Sequence, residues 1–143
     1  MRRLKVVIVE DSASIRSRLV ALVEEIGNLQ VVGEATTEVA AINMCIGKQP
    51  DVIILDMQLE TGSGLGVLKA LKLNSGNSAN SVNSLSAAND SDAPKSTPRV
   101  IVLTNFPSPS VQRAAITLGA QHFLDKSLEF HKLPALLKTA AGD

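Results

Sequence analysis

Five short apolar runs recur along the chain. They occupy residues 4–9, 30–35, 52–55, 100–103 and 121–124. Three of them are continuously aliphatic rather than alternating with polar residues, which is typical of strands covered on both faces of a sheet. The pattern therefore predicts five strands, at least three of them buried.

The segments between these runs carry apolar residues at helical spacing. Ile15, Leu19 and Leu22 form one stripe in the first segment, and later segments repeat the spacing. Ser12 or Ser14 can cap the start of the first helix, because both side chains accept hydrogen bonds from free backbone N–H groups. Comparable signals, such as the glycines that follow the second and fourth stripes, predict five helices in all.

Strand and helix thus alternate five times, which predicts an α/β fold. The expected architecture is a (βα)5 doubly wound five-stranded parallel sheet with right-handed crossovers and helices on both faces. At 143 residues the chain is long enough for one domain, so residues 1–143 are assigned to a single unit. In such sheets ligands bind beyond the carboxyl ends of the strands.

Residues 74–98 do not fit the alternation. This stretch is rich in Ser and Asn and has hardly any large apolar residue, which is the composition of a flexible linker. A domain boundary is excluded because three strands before it and two after it would leave neither part with a covered sheet. The stretch is predicted to be a flexible insertion between the third helix and the fourth strand, either a plain surface loop or a segment that docks a partner.

The composition excludes several classes of function. The net charge is zero and the aromatic residues are three Phe, so neither a basic surface nor a stacking platform for nucleic acid is indicated. No apolar run is long enough to span a bilayer, and the amino terminus does not resemble a secretory signal. The single cysteine, Cys45, lies among apolar neighbours and is predicted to be a core residue. We expect a cytoplasmic protein.

Carboxylates follow two of the buried strands. Glu10 and Asp11 come directly after the first strand, and Asp56 follows the third. Each acid alone would be read as a helix cap or a solvated tip. Three together at one rim repel each other, by roughly 4 kcal/mol for a pair 4 Å apart at an effective dielectric constant near 20. Oxygen ligands at an open rim suit Mg²⁺.

The fourth and fifth strands add a hydroxyl and a cation at the same edge. The fourth run ends in Thr104, and the fifth ends in Asp125 and Lys126. Carboxylates, a divalent cation, a hydroxyl and a lysine together make a site that can accept a phosphoryl group, because positioning and electrostatics do nearly all the work in that reaction.

Four motifs in this order resemble the receiver domain of bacterial two-component response regulators: "VVIVEDS", "DVIILDMQLETGSG", "VIVLTN" and "HFLDKS". The resemblance covers the chain apart from residues 74–98 and implies a flavodoxin-like fold. It implies that Asp56 is the phosphoacceptor and that Lys126 pairs with the phosphoryl group. It also implies a Mg²⁺ site formed by Asp11, Asp56, the backbone carbonyl of Gln58, and Glu10 acting through water.

The same resemblance implies a switch and its partners. Thr104 would be the switch hydroxyl and Phe123 the switch aromatic, which together alter the surface of the fourth helix, fifth strand and fifth helix. The donor would be a histidine kinase or a histidine phosphotransfer protein, and the downstream protein target is unknown. Neither a DNA-binding domain in this chain nor a membrane partner is expected. The chain would act as a stand-alone, chemotaxis-regulator-like receiver or as a receiver cut from a longer protein; dimerisation on phosphorylation is left open.

Three positions depart from the family pattern. Glu60 stands where a proline is usual, Ser127 replaces the proline that commonly follows the lysine in a cis linkage, and Asn105 replaces a small residue. A cis bond before a residue other than proline costs about 3–4 kcal/mol, which leaves the Lys126–Ser127 linkage open. With Phe106 next to Asn105, access of water to an acyl phosphate would differ from the family norm.

Two other functions remain alternatives. A degenerate receiver would bind partners independently of phosphorylation. A Mg²⁺-dependent phosphohydrolase would also use a strand-end Asp, but it would need a second acid two residues later, where this chain has Gln58. As a receiver or a degenerate receiver, the chain is expected not to be an enzyme, apart from self-phosphorylation and autodephosphorylation at most. Only the hydrolase alternative makes it an enzyme.

Overall fold

Strands and helices alternate along the chain as the apolar pattern predicts. The structure is a computed structural model that describes residues 3–82, 98–105 and 107–140, with residues 74–82 described as backbone only. The elements are β1 Leu4–Val9, α1 Ala13–Glu24, β2 Leu29–Ala35, α2 Glu38–Lys48, β3 Val52–Asp56, α3 Gly64–Val82, β4 Arg99–Thr104, α4 Pro109–Thr117, β5 His122–Asp125 and α5 Leu133–Ala140, which follows a single 3₁₀ turn at Phe130–Lys132.

The five strands form one parallel sheet in the order β2-β1-β3-β4-β5. The strand order reverses between β1 and β3, so this is the switch point at which doubly wound sheets bind ligands. In the register, Val9 of β1 pairs with Leu55 of β3, and Thr104 of β4 pairs with Asp125 of β5. The carboxyl ends of β1, β3, β4 and β5 therefore meet at one edge, as predicted.

Both faces of the sheet are buried, which explains the uninterrupted aliphatic runs. Helices α2, α3 and α4 cover one face, and α1 and α5 cover the other. The first face contributes Val7, Val9, Ile53 and Leu55 to the core, and the second contributes Val6, Ile8, Val52 and Ile54. Because successive side chains of a strand point to opposite faces, a strand with two covered faces needs apolar residues at every position. Each fully buried side chain of this kind stabilises the fold by about 1.5–3 kcal/mol.

Side-chain caps start four of the helices, and at α3 the Ser63 hydroxyl accepts a hydrogen bond from the Gly66 N–H at 3.2 Å. The Ser12 hydroxyl accepts a hydrogen bond from the Ile15 N–H, so Ser12 rather than Ser14 caps α1. Thr37 and Ser108 cap α2 and α4 in the same way. Each cap satisfies an N–H that has no partner within its helix. The caps thus mark where each of these helices begins.

Helix α3 is longer than the sequence pattern predicts. It extends to Val82, so residues 74–82 of the predicted flexible insertion are helical, which corrects the expected boundary. Residues 83–97, which make up most of that insertion, lie outside the described residues. Helix α2 also passes Gly47 and ends at Lys48, where Gln49 takes a left-handed conformation with φ of 49°.

The structure also bears on the predicted burial of Cys45 and on membrane-spanning segments. Cys45 is buried in the core, and burial raises the pKa of its thiol to about 12, so the nucleophilic thiolate is scarce at neutral pH. Within the described residues, no helix combines the length and the apolar character needed to cross a bilayer.

Candidate functional site

Asp56 and Glu10 lie side by side at the switch point of the sheet. Asp56 is the last residue of β3, and Glu10 directly follows β1, the neighbouring strand. Their residues are 4% and 1% exposed, respectively. The backbone N–H of Glu10 donates to the carbonyl of Ala35, which extends the β1–β2 ladder by one residue. Two carboxylates are therefore held in a largely buried position by the two central strands.

Lys126 reaches both carboxylates from the end of β5. Its Nζ lies 3.1 Å from Asp56 Oδ2 and 2.9 Å from Glu10 Oε1, and its side chain is 6% exposed. The Lys126 N–H donates to the Thr104 carbonyl at 2.8 Å, which fixes the start of the β5–α5 connection. A single ammonium thus bridges two buried acids from different strands.

The carboxylate of Glu10 is incompletely satisfied. Oε2 accepts hydrogen bonds from Lys126 Nζ and from the Ser12 N–H, both at 3.1 Å. Oε1 lies 2.9 Å from Nζ, but the angle does not make a hydrogen bond, so among the described residues this buried oxygen has no hydrogen-bond partner. Burial, reinforced by the charge of Asp56, raises the pKa of Glu10 above its ordinary value even though Lys126 opposes the shift.

The ammonium of Lys126 is stabilised in return. Burial alone would lower its pKa, but the hydrogen bond to Glu10 and the charge of Asp56 outweigh burial and raise the pKa above its ordinary value. Lys126 therefore stays charged at neutral pH, and it is a fixed positive group next to Asp56.

Asp11 completes a cluster of three acids. Asp11 is exposed, and one oxygen from each of Glu10, Asp11 and Asp56 lies within 4.8 Å of the others. With Lys126 the cluster has a formal charge of −2, which one divalent cation would neutralise. The ligands are all oxygen atoms, one side of the cluster is open to solvent, and Glu10 Oε1 lacks a hydrogen bond within the part of the chain that the structure describes. These features fit Mg²⁺, which prefers oxygen ligands and retains several water molecules.

The segment after Asp56, residues 57–63, is called the acceptor loop below. The Gln58 N–H donates to Asp56 Oδ1 at 3.2 Å, and Gln58 pairs with Ser63 in an antiparallel bridge. The Gly64 N–H donates to the Met57 carbonyl at 3.0 Å, which closes the loop. Gln58, whose backbone carbonyl the resemblance to receiver domains implies as a Mg²⁺ ligand, is therefore held next to the Asp56 carboxylate.

Gly64 packs directly against the backbone that carries Asp56. A Cβ at this position would collide with the Asp56 carbonyl oxygen and with Met57 Cα. We expect Gly64→Ala to lower the free energy of unfolding by about 1–3 kcal/mol, as in other overpacked sites, despite the higher helix propensity of Ala. Denaturant unfolding measures this change. Gly47→Ala is the matched control, because a Cβ at that helical position meets no atom of the described residues within 4 Å. It should stabilise by up to about 1 kcal/mol. Equal effects at the two positions would contradict the close approach.

The predicted switch residues lie on the same side of the molecule. Thr104, the last residue of β4, is 1% exposed. Phe123 of β5 is partly buried against the core of the α2–α3–α4 face. Asn105 is exposed, and with Lys126 and Ser127 it lines a pocket that α1 borders from the other side. No cis peptide bond occurs among the described residues, so the Lys126–Ser127 bond is trans; Phe106 lies outside those residues.

Sequence reasoning missed two residues near the site. Arg16 of α1 donates from Nη1 to the Glu10 carbonyl at 3.0 Å and from Nε to Glu34 at 3.1 Å, so it connects α1 to the ends of β1 and β2. Glu38, the first residue of α2, accepts a hydrogen bond from the Ser63 N–H in the acceptor loop. Neither role follows from the local sequence, because each contact joins segments that only the fold brings together.

Comparison with known proteins agrees with this geometry. The sequence pattern of one family, the response regulator receiver domain, matches residues 6–97, a segment that contains all three carboxylates. The chain belongs to this family. As a receiver domain it is part of the two-component class of signalling proteins, and its five-stranded parallel sheet is the receiver fold.

Curated relatives carry receiver-like segments within longer proteins. The transcriptional regulatory protein YdfI of Bacillus subtilis is 28% identical over 138 residues, which cover 94% of this chain and 55% of YdfI. The protein-glutamate methylesterase/protein-glutamine glutaminase of Methylobacillus flagellatus is 40% identical over 68 residues, or 48% of this chain and 19% of that protein. The receiver chain thus spans about half or less of these relatives.

Solved receiver structures superpose over nearly the whole chain. The receiver domain of a putative response regulator, NarL, from Mycobacterium tuberculosis has a TM-score of 0.74 at 24% identity and covers 100% of both chains. The response regulator domain of Thermotoga maritima CheB has a TM-score of 0.73 at 23% identity, over 99% of this chain and 98% of the other. At this level of identity the likeness establishes the shared fold.

Proposed function

We propose that this receiver domain is a phosphorylation-controlled switch that accepts a phosphoryl group on Asp56. The observation that carries the proposal is the bridge from Lys126 to both Asp56 and Glu10 at the switch point of the sheet. A buried carboxylate beside a fixed ammonium and two further acids has the parts that phosphoryl transfer requires: a nucleophile, a charge clamp and a cation site.

The reaction is a transfer from a phosphohistidine on a histidine kinase or a histidine phosphotransfer protein. A carboxylate oxygen of Asp56 attacks phosphorus, the O–P bond forms and the P–N bond to the donor imidazole breaks. The electron pair remains on the imidazole nitrogen. The product is an acyl phosphate, and the N–H of Gln58, which donates to Asp56 Oδ1, orients the carboxylate for attack.

The cation site consists of Asp11, Glu10, Asp56 and the backbone carbonyl of Gln58, with Mg²⁺ as the cofactor. When bound, Mg²⁺ lowers the repulsion between the attacking carboxylate and the incoming phosphoryl oxygens. Lys126 supplies a positive charge to the same oxygens, and Glu10 keeps the ammonium in place by its own contact at 2.9 Å. Asp11 is the exposed acid of the three, so its carboxylate is open to solvent.

Transfer changes the charge at the end of β3, and the switch follows from that change. The hydroxyl of Thr104 and the ammonium of Lys126 are drawn toward the phosphoryl group, and Phe123 turns inward behind Thr104. The surface of α4, β5 and α5 then changes its affinity for a downstream protein. The Lys126 N–H bond to the Thr104 carbonyl couples β4 to the β5–α5 connection, which supports a joint movement.

Incubation with acetyl phosphate and Mg²⁺, followed by intact-mass spectrometry, tests this function. We expect a gain of one phosphoryl group per chain. Replacing Mg²⁺ with EDTA should slow incorporation by about a hundredfold or more, because loss of a cation in phosphoryl transfer costs several kcal/mol. If no phosphoryl group is incorporated at any Mg²⁺ concentration, and partner binding is the same with and without the phosphodonor, the result would favour a phosphorylation-independent binding module. Sustained hydrolysis of phosphate esters would favour a phosphohydrolase.

A further inference from the structure

The connection between β2 and α2 is tied to the acceptor loop by three hydrogen bonds. Residues 36–38, which comprise this connection and the first residue of α2, are called the clamp segment. The Glu60 N–H donates to the Thr36 carbonyl at 3.1 Å, the Glu38 N–H donates to the Thr61 carbonyl at 2.9 Å, and the Ser63 N–H donates to Glu38 Oε1 at 2.9 Å. Two backbone bonds thus join the segments at the middle of the loop, and the Glu38 carboxylate joins them at the carboxyl end of the loop.

The acceptor loop and the first turn of α3 form a notch that receives the Glu38 side chain. Gly62 and Gly66 border the notch, and a Cβ on either one would collide with the Glu38 side chain. Gly62 also has a φ of 86°, a conformation that residues with a side chain rarely adopt. The sequence "TGSGLG" therefore leaves room for a carboxylate that comes from a different helix.

Glu60 makes the loop compatible with this arrangement. A proline at position 60 would have no N–H, so it could not donate to the Thr36 carbonyl. The departure from the usual family residue at this position therefore adds a hydrogen bond to the clamp segment. Glu60 itself is exposed, so its contribution comes from the backbone rather than from the carboxylate.

A short path of contacts leads from Glu38 to the phosphoacceptor. Glu38 Oε1 accepts from the Ser63 N–H, Ser63 pairs with Gln58 in the antiparallel bridge, and the Gln58 N–H donates to Asp56 Oδ1 at 3.2 Å. One residue, Ser63, thus connects the Glu38 carboxylate to Gln58, the residue whose N–H contacts Asp56. A displacement of Ser63 moves Gln58 with it.

We infer that Glu38 is a positioning residue for the cation site. Its carboxylate locks the acceptor loop so that Gln58 keeps its place beside Asp56, and this raises the affinity of the acidic cluster for Mg²⁺. The inference rests on the proposed function, since it assigns Gln58 to the Mg²⁺ site. Glu38 touches neither the cation nor the phosphoryl group; it acts through Ser63 and Gln58.

The test is a Mg²⁺ titration monitored by ¹H–¹⁵N NMR in the absence of a phosphodonor. It is carried out on wild type, Glu38→Ala and Glu38→Gln. We expect Glu38→Ala to raise the Kd for Mg²⁺ about tenfold, at the lower end of the effect of removing groups that support metal ligands. The Ser63 amide should exchange with solvent about tenfold faster, because it loses a hydrogen bond to a charged acceptor. Glu38→Gln keeps an acceptor oxygen at the same reach and should restore most of the affinity. Glu24→Ala, at an exposed site at the far end of α1, is the matched control and should change neither value.

Gly66→Ala gives a second, independent variant. The added Cβ displaces the Glu38 side chain, so Gly66→Ala should weaken Mg²⁺ binding in wild type but have no further effect in the Glu38→Ala background. Additive effects would overturn the inference. So would a Glu38→Ala variant with faster Ser63 exchange and unchanged Mg²⁺ affinity, or a Glu38→Gln variant as weak as Glu38→Ala. If wild type itself shows no Mg²⁺-dependent shift of the Asp11 or Gln58 amides, the proposed function fails and this inference fails with it.

Discussion

Replacement of Lys126 by methionine is expected to lower the free energy of unfolding by about 3 kcal/mol at neutral pH. The ammonium contacts Glu10 and Asp56 at 2.9 and 3.1 Å, and all three side chains are at most 6% exposed. Removing one partner of a buried ionic group leaves charge that neither water nor a counter-ion compensates. Urea unfolding at several pH values measures the effect.

The loss should grow with pH and shrink when Mg²⁺ is added. Burial already raises the pKa of Glu10 above its ordinary value of 4.5, and loss of Lys126 raises it further. A raised pKa means that the native state takes up a proton more readily than the unfolded state. The contribution of Glu10 to the free energy of unfolding is therefore fully present below pH 4.5, and it is lost as the pH rises through the raised pKa that Glu10 has in the folded state. Mg²⁺ supplies the missing positive charge and should stabilise the variant more than wild type.

Lys132→Met is the matched control for this measurement. Lys132 also pairs with a glutamate, Glu129, at 3.0 Å, but their side chains are 54% and 35% exposed. An exposed pair of this kind contributes about 0–1 kcal/mol. If Lys126→Met and Lys132→Met destabilise equally, the buried ionic group is not a structural element of the site.

Asp56→Asn should abolish incorporation of the phosphoryl group from acetyl phosphate. An amide cannot form the acyl phosphate, and Asn keeps the size of the side chain and an oxygen that can accept the Gln58 N–H bond. The fold should persist, because Lys126 retains its contact with Glu10. Intact-mass spectrometry with Mg²⁺ present measures incorporation, and circular dichroism checks the fold.

Asp125→Asn tests whether the loss is specific to position 56. Asp125 lies at the same edge of the sheet, at the end of β5, and its Oδ1 accepts hydrogen bonds from the Ser127 and Leu128 N–H groups. Asn can accept the same bonds, so this variant should take up phosphate as wild type does. Incorporation that survives in Asp56→Asn, or that disappears in both variants, would contradict the assignment.

The strands and the acids at their ends could be predicted from sequence because both signals are local. A run such as Val52–Asp56 is aliphatic throughout and then turns acidic, and the parallel sheet converts separate strand ends into one edge. The order of the elements followed from the same alternation. Predicting that Glu10, Asp56 and Lys126 lie together therefore required only the fold class and the positions of the strand ends.

Features that depend on contacts between distant segments could not be predicted. Helix α3 continues to Val82 through Ser- and Asn-rich sequence without an apolar stripe, so periodicity gave no sign of the extension. The contact of Glu38 with the acceptor loop could not be predicted either, since Glu38 and Ser63 lie 25 positions apart in the sequence. The two glycines of the notch were a visible signal, but their spacing also fits an ordinary turn. Only the structure shows which side chain occupies the space.

The position of the phosphoryl group tests the central claim most directly. The protein is incubated with acetyl phosphate and Mg²⁺, the acyl phosphate is reduced with borohydride, and peptide mass spectrometry locates the reduced residue. The proposed function predicts reduction at position 56 alone, dependent on Mg²⁺. A modified residue elsewhere in the chain, or no modified residue in protein that binds Mg²⁺, would contradict the proposal that Asp56 is the phosphoacceptor.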